Sequence, residues 1–259
     1  MSYVDLHLHL LPGVDDGAQD EAAAIAHARR LAAEGVREIV ATPHVSAYWG
    51  VDVASIPDRA QALAHTLHRE GIAVRVHAGG ELDARFARGL RDDELELIAH
   101  GPPQARWLLV EAPFRGIDEE FAADVEALAG RGFGALLAHP ERAAGAAAPA
   151  GRRALRELLE RGALAQINVC SLLGNNGLAV QESAVHLLRN GLAYLIASDG
   201  HPGTRDHTLA LGFVLAQRAG ASSVQAWRLT QANPRFLLKH GIPRASSPAT
   251  AAALELALD

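Results

Sequence analysis

The chain has 259 residues, 49% of them hydrophobic and 21% charged, which is the composition of a soluble globular protein with a large core. Its net charge of −6 argues against a general nucleic-acid binder, which carries a basic face. A single cysteine argues against a disulfide framework or a thiolate zinc site, no apolar run reaches the ~18 residues of a spanning helix, and no basic segment precedes the first strand, so a cytoplasmic chain without membrane insertion is expected.

The opening stretch, YVDLHLHLLPGVDDG, alternates apolar and polar residues. Successive side chains of a strand point to opposite faces, so Asp5, His7 and His9 share one face and Leu6, Leu8 and Leu10 the other. The alternation stops at a Gly-Val-Asp-Asp-Gly turn. A recurring unit follows: a helical stretch ends in a polar residue and a glycine, then comes an apolar run, then a polar cluster. It is read in EGVREIVATPH, EGIAVRVHAGGEL, RGFGALLAHPER, RGALAQINVCS and NGLAYLIASDGH. Gly35, Gly71, Gly132, Gly162 and Gly191 supply the left-handed residue that ends each helix. The apolar runs read as buried parallel strands. RWLLVEAPF, 106–114, adds one without a leading glycine, for a total of seven. Helical patterns lie between them over 20–34, 56–70, 117–129, 151–160, 180–189 and 205–219. This alternation implies a parallel α/β architecture. No Pro/Gly/Ser linker divides it, so 1–241 is expected to be one domain, with 242–259 a terminal helix or a frayed tail.

In a parallel βα barrel the active site lies at the C-terminal ends of the strands. The first strand delivers His7 and His9 there, with Asp15 and Asp16 in the turn beyond. The next three deliver His44, Glu81 and Glu111. The fifth delivers His139, followed by Glu141 and Arg142, the sixth Asn168, and the seventh Asp199 and His201. Taken singly, His44 is a loop residue, Glu81 a helix-start acid, and Asp199-Gly200-His201 a turn. Glu111 is harder to explain, because a carboxylate straight after WLLV is costly to bury unpaired. His27, His65, His68, His100, His186 and His207 read as surface or satisfied core residues, and His77 and His240 carry no signal. Five histidines and up to four carboxylates at one end of a barrel point to a multinuclear metal site.

Imidazole and carboxylate without thiolate suit manganese, iron or zinc. The set is too large for one ion, and Glu81 is a natural bridge. Two or three closely spaced divalent ions acidify a bridging water and hold both attacking and leaving oxygens, the equipment of a phosphoester or amide hydrolase. Arg142 and Arg205, beside His139 and His201, suit bidentate phosphate binding and tilt the choice toward phosphate. Tyr48 and Trp49, in SAYWG beside His44, pack either on a substrate ring or on the protein itself. The sequence CSLLGNN places Asn176 where a cysteine phosphatase needs its phosphate-loop arginine, which argues against Cys170 as a nucleophile.

DLHLHLLPGVDDG, ATPH, GGEL, VEAP, AHPER and SDGH, in this order, resemble the PHP (polymerase and histidinol phosphatase) superfamily over nearly the whole chain. PGVDDG and AHPER narrow the resemblance to the manganese-dependent protein-tyrosine phosphatases of capsule and exopolysaccharide synthesis. The resemblance implies a single-domain α/β fold, a distorted (β/α)7 TIM-like barrel with three metal ions at the C-terminal strand ends. It implies that His7, His9, Glu81 and Asp199 hold the first ion, that Glu81, Glu111 and His139 hold the second, and that Asp16, His44 and His201 hold the third. Asp15 is the alternative to Asp16. Arg142 and Arg205 match positions that grip the phosphate, and Asp5 is expected to fix a histidine tautomer. The implied activity is hydrolysis of phosphotyrosine on a bacterial tyrosine autokinase of polysaccharide export, by a metal-bridging hydroxide. Manganese is favoured, with iron or zinc as alternatives. The competing readings are a small-molecule phosphatase of histidinol-phosphate type, a PHP-type phosphodiesterase or nuclease, and a metal-binding docking protein. The acidic balance counts against the nuclease, and the intact donor set against the docking protein.

Overall fold

A computed structural model describes residues 2–243. Nine short strands are present among them: β1 Tyr3–Leu8, β2 Val36–Ala41, β3 His44–Val45, β4 Arg75–Ala78, β5 Glu81–Asp83, β6 Trp107–Glu111, β7 Gly134–Ala138, β8 Leu164–Asn168 and β9 Leu195–Ala197. Every pairing between them is parallel. They form two sheets, β1-β2-β4 and β3-β5-β6-β7-β8-β9. The seven expected strand positions are all occupied, and two of them are broken in half. Thr42-Pro43 separates β2 from β3, where proline has no N–H for a ladder. Gly79-Gly80 separates β4 from β5. The breaks lie side by side and are stitched together: Gly79 N donates to Ala41 O, and Glu81 N to Pro43 O, each at 3.0 Å. His44 is thereby paired with Glu81 across the sheet.

The first and last strand ends also meet. Asp199 N donates to His7 O, and His9 N to Gly200 O, both at 3.0 Å. All six residues of β1 are buried, so this strand is not a wet edge.

Helices carry the chain between strands. Asp20 caps the helix Glu21–Ala33 by accepting from Ala23 N, and Asp118 caps Glu119–Gly130 by accepting from Phe121 N. The helix expected over 205–219 begins only at Leu209. The residues before it are drawn back to the site, because Arg205 and His201 pair through their backbones. The helix expected from residue 151 starts at Pro149, whose fixed φ suits a first turn. Four further helices, Asp92–Ile98, Val169–Leu173, Ser223–Trp227 and Asn233–His240, went unanticipated.

The apolar residues divide into two clusters. The larger lies between strands and helices. The smaller gathers Val4, Leu6, Val40, Trp107, Leu109, Leu136, Leu195 and Ala197 from the strands, and Leu237 and Ile242 pack on them. The Trp107 indole donates to Leu237 O at 3.1 Å. Ile242 therefore belongs to the packed core, and 244–259 of the expected tail lies outside the described residues. No helix among the described residues is long and apolar enough to cross a membrane.

Candidate metal centre

The strand ends bring His7, His9, Asp16, His44, Glu81, Glu111, His139, Asp199 and His201 into one cluster. Donor atoms lie within 4.8 Å of one another in four overlapping groups: His9, Asp16, His44 and His201; His7, His9 and Glu81; His7, His139 and Asp199; and His44, Glu81 and Glu111. His139 and Asp199 are the only non-glycine residues with positive φ among those described, at 35° and 49°. Each sits where a strand ends and the chain turns sharply. Left-handed backbone costs about 1–2 kcal/mol for an L-residue, a strain concentrated at functional sites.

Glu81 is central. Its Oε1 lies 2.8 Å from His139 Nε2. Its Oε2 lies 3.3 Å from His7 Nε2, 3.3 Å from His9 Nε2 and 3.0 Å from His44 Nδ1. Yet this buried oxygen has no hydrogen-bond partner among the described residues. Asp16, half-exposed, reaches His201 Nε2 at 3.1 Å and His44 Nε2 at 3.4 Å.

The groups behind the histidines differ from expectation. Asp5 orients no ring: its Oδ1 accepts from the backbone N–H of Ser198, at 3.1 Å, and of His7. The ring partners are Gln166, whose Oε1 lies 2.9 Å from His7 Nδ1, and Asp15, whose Oδ2 lies 2.7 Å from His9 Nδ1. Asp15 also accepts from His44 N and Gly17 N, so it ties the opening turn to β3. The structure thus places Asp16 among the donors and Asp15 behind His9. Asn168 donates through Nδ2 to Asp199 Oδ2 at 2.7 Å and accepts from Gln166 Nε2 at 2.6 Å. Glu141, fully buried, accepts from Asn168 N.

Both oxygens facing Nδ1 are acceptors, so in the neutral rings Nδ1 carries the proton and Nε2 presents a lone pair. The Nε2 atoms of His7 and His9 face each other at 3.2 Å. Lone pairs converging on a buried carboxylate oxygen are held together by a cation or by added protons. Without a cation, protons are retained. Burial pushes His9 down, but the Asp15 carboxylate on its Nδ1 and the Glu81 carboxylate beside its Nε2 outweigh it and raise it to about 9. Burial also opposes His44, which Asp16 and Glu81 raise to about 11. Burial, with Glu81 beside it, raises Glu111 to about 8. Burial would raise Asp199 too, but His7, His139 and Arg205 hold it at about 2. This hard oxygen and imidazole donor set fits divalent first-row metals.

Both expected arginines converge on Asp199. Arg142 Nη1 donates to Oδ2 at 3.2 Å, and Arg205 Nη2 to Oδ1 at 3.3 Å. Aromatic rings flank the cluster. Trp49 stacks on His44 at 5.6 Å between centroids, and Phe114 on His139 at 5.9 Å. Sequence reasoning missed Gln166 and Phe114. The only available signal for Phe114 was its place three residues past Glu111. The Cys170 thiol is buried and thereby raised, and it accepts from Asn176, so it is not poised as a nucleophile.

The profile of the capsular polysaccharide synthesis CpsB/CapC family matches residues 3–239. Tyrosine-protein phosphatase YwqE of Bacillus subtilis strain 168 is 30% identical over 250 residues, 92% of each chain. CapC of Staphylococcus aureus is 30% identical over 201 residues, 76% of each chain. A crystal structure from work on YwqE and on CpsB of Streptococcus pneumoniae, described as unique metal-dependent tyrosine phosphatases, superposes with a TM-score of 0.77 at 26% identity, covering 91% of this chain and 94% of that one. The likeness runs through both the sequence and the fold over nearly the full length, and the chain belongs to the capsular polysaccharide synthesis CpsB/CapC family.

Proposed function

We propose that this chain is a metal-dependent phosphomonoester hydrolase, a protein-tyrosine phosphatase of the non-cysteine type acting in the cytoplasm. The observation that carries this reading is the junction of two features: a buried imidazole–carboxylate cluster around Glu81, and two guanidiniums anchored beside it on Asp199. The names of its relatives support the same reading.

The proposed site is a trinuclear centre, with manganese favoured, at the C-terminal strand ends of a distorted (β/α)7 barrel. His7, His9, Glu81 and Asp199 would hold the first ion, Glu81, Glu111 and His139 the second, and Asp16, His44 and His201 the third. Bound divalent ions supply an acidified water and neutralise phosphate charge. The chain itself does the rest. Arg142 and Arg205 orient the phosphoryl group and stabilise the charge that develops on its oxygens. Asp199 keeps both guanidiniums facing the cluster. Gln166 and Asp15 hold the Nδ1 protons of His7 and His9, so that Nε2 stays free. A tyrosine leaving group, whose phenol has a pKa of about 10, departs without a dedicated general acid. The proposed substrate is phosphotyrosine on a bacterial tyrosine autokinase of polysaccharide export.

The test measures turnover of phosphotyrosine peptide, phosphoserine peptide and histidinol phosphate after chelation, with add-back of manganese, zinc and magnesium. Chelation is expected to abolish turnover, and Cys170→Ser to retain most of it. Histidinol phosphate turned over as fast as phosphotyrosine peptide sinks the tyrosine assignment. Loss on thiol alkylation with chelation harmless sinks the metal reading.

A further inference from the structure

Eight large hydrophobic side chains are exposed among the described residues. Four of them, Tyr48, Phe114, Leu173 and Leu178, lie in segments that follow β3, β6 and β8, at the donor end of the sheet. Phe114 is the most constrained. It is 52% exposed, yet its ring is stacked on His139 with the planes 4° apart. The Arg142 guanidinium carbon lies 4.7 Å from its ring centroid. Trp49 stacks on His44 with the planes 3° apart, and Tyr48, 87% exposed, meets Trp49 edge-on at 5.2 Å. His139 and His44 approach different oxygens of Glu81. Aromatic groups therefore stand at two places around a single carboxylate.

We infer that Phe114 is a specificity-determining residue that selects aryl over alkyl phosphates, with Trp49 and Tyr48 forming a second aromatic wall. The inference rests on the phosphatase reading above. A phosphate on Arg142 is held at about 2.8 Å from a guanidinium nitrogen. That guanidinium already touches Phe114. An ester oxygen turned toward Phe114 can bring the first ring beyond it within the about 4.5–7 Å at which aromatic pairs attract. A flexible alkyl group at the same place gains contact area but no ring–ring term. Phe114 also has a simpler explanation, that it merely holds Arg142 by a cation–π contact. The two differ in what happens to ligands without a ring.

The experiment uses the full manganese-loaded chain. Titration calorimetry gives dissociation constants for phenylphosphonate, butylphosphonate and inorganic phosphate with wild type, Phe114→Leu and Phe114→Tyr. Phe114→Leu is expected to weaken phenylphosphonate about fivefold to tenfold, while the other two ligands stay within about twofold. Phe114→Tyr is expected to restore phenylphosphonate. A parallel loss of all three ligands means that Phe114 only holds Arg142, and no change in any means that the ring is idle; either result overturns the inference. Both outcomes leave wild-type turnover of phosphotyrosine peptide intact. A wild-type chain that binds no phosphonate and turns over no phosphomonoester instead removes the phosphatase reading, and the inference with it.

Discussion

Asp199, held at about 2 by His7, His139 and Arg205 against its burial, is an acceptor only, and it orients three other side chains. Asn168 must turn Nδ2 toward it, which leaves Asn168 Oδ1 for Gln166 Nε2 and Gln166 Oε1 for His7 Nδ1. The relay sets the tautomer of His7. Gln166→Leu breaks it and is expected to weaken metal binding about 10–100-fold, the usual cost of losing a histidine's outer partner. Competition with a chromophoric chelator measures this, and unchanged affinity means that the relay does not set the tautomer. The alternation in DLHLH made Asp5 the natural partner by proximity in sequence. The actual contact joins positions 159 apart, and no local pattern contains it. His139 illustrates a second residue-scale effect. At φ 35° it carries left-handed strain that glycine does not feel. In the metal-free protein His139→Gly is therefore expected to be more stable than His139→Ala by about 1 kcal/mol, read from urea midpoints. Equal midpoints mean that the strain is relieved elsewhere.

Short elements position the donors, and glycine decides how closely they approach. A Cβ on Gly17 would lie 2.2 Å from His9 O and 2.5 Å from His9 Cβ, so the turn bearing Asp15 and Asp16 rests directly on the first strand's exit. Backbone cannot yield as a side-chain tip does. Gly17→Ala is expected to cost about 1–3 kcal/mol and to lower metal affinity, because Asp15 and Asp16 move with the turn. Gly89, with nothing within 4 Å of its Cβ position, is the control, and Gly89→Ala is expected to stay within about 0.5 kcal/mol. Denaturation and metal titration of both variants test the contrast; equal behaviour removes the packing argument. At this scale much was legible. Glycine followed by an apolar run located the strands, because helix ends and buried strands impose those residues. The splits at Thr42-Pro43 and Gly79-Gly80 were not legible, since pieces as short as His44–Val45 have no period to detect. The helices Val169–Leu173 and Ser223–Trp227 escaped for the same reason, being five residues each.

Across the whole molecule, metal and protons compete for one buried cluster. A histidine raised above about 6.5 stabilises the fold below that pH and loses this contribution as the pH climbs through its folded value. In the metal-free chain His9 does so toward about 9 and His44 toward about 11. Glu111, raised to about 8, acts in the same direction, because the folded chain keeps a proton that the unfolded chain has lost. The stability of the metal-free protein is therefore expected to fall from pH 6 to pH 9. A divalent cation must displace these protons, so its apparent affinity rises by about tenfold per pH unit for each proton displaced. Bound metal stabilises by about 2.7 kcal/mol at a hundredfold excess over its dissociation constant, and that excess grows with pH. The melting curves of chelated and manganese-loaded protein are thus expected to diverge as pH increases, the first falling while the second holds. Calorimetry in two buffers of different ionisation enthalpy should show proton release at pH 7, where His9 and His44 are still charged in the metal-free chain. A metal-free melting temperature that climbs from pH 7 to pH 9, or binding heats independent of buffer, would mean that the cluster stays unprotonated without its ions. The convergence of lone pairs on Glu81 would then need another source of stability.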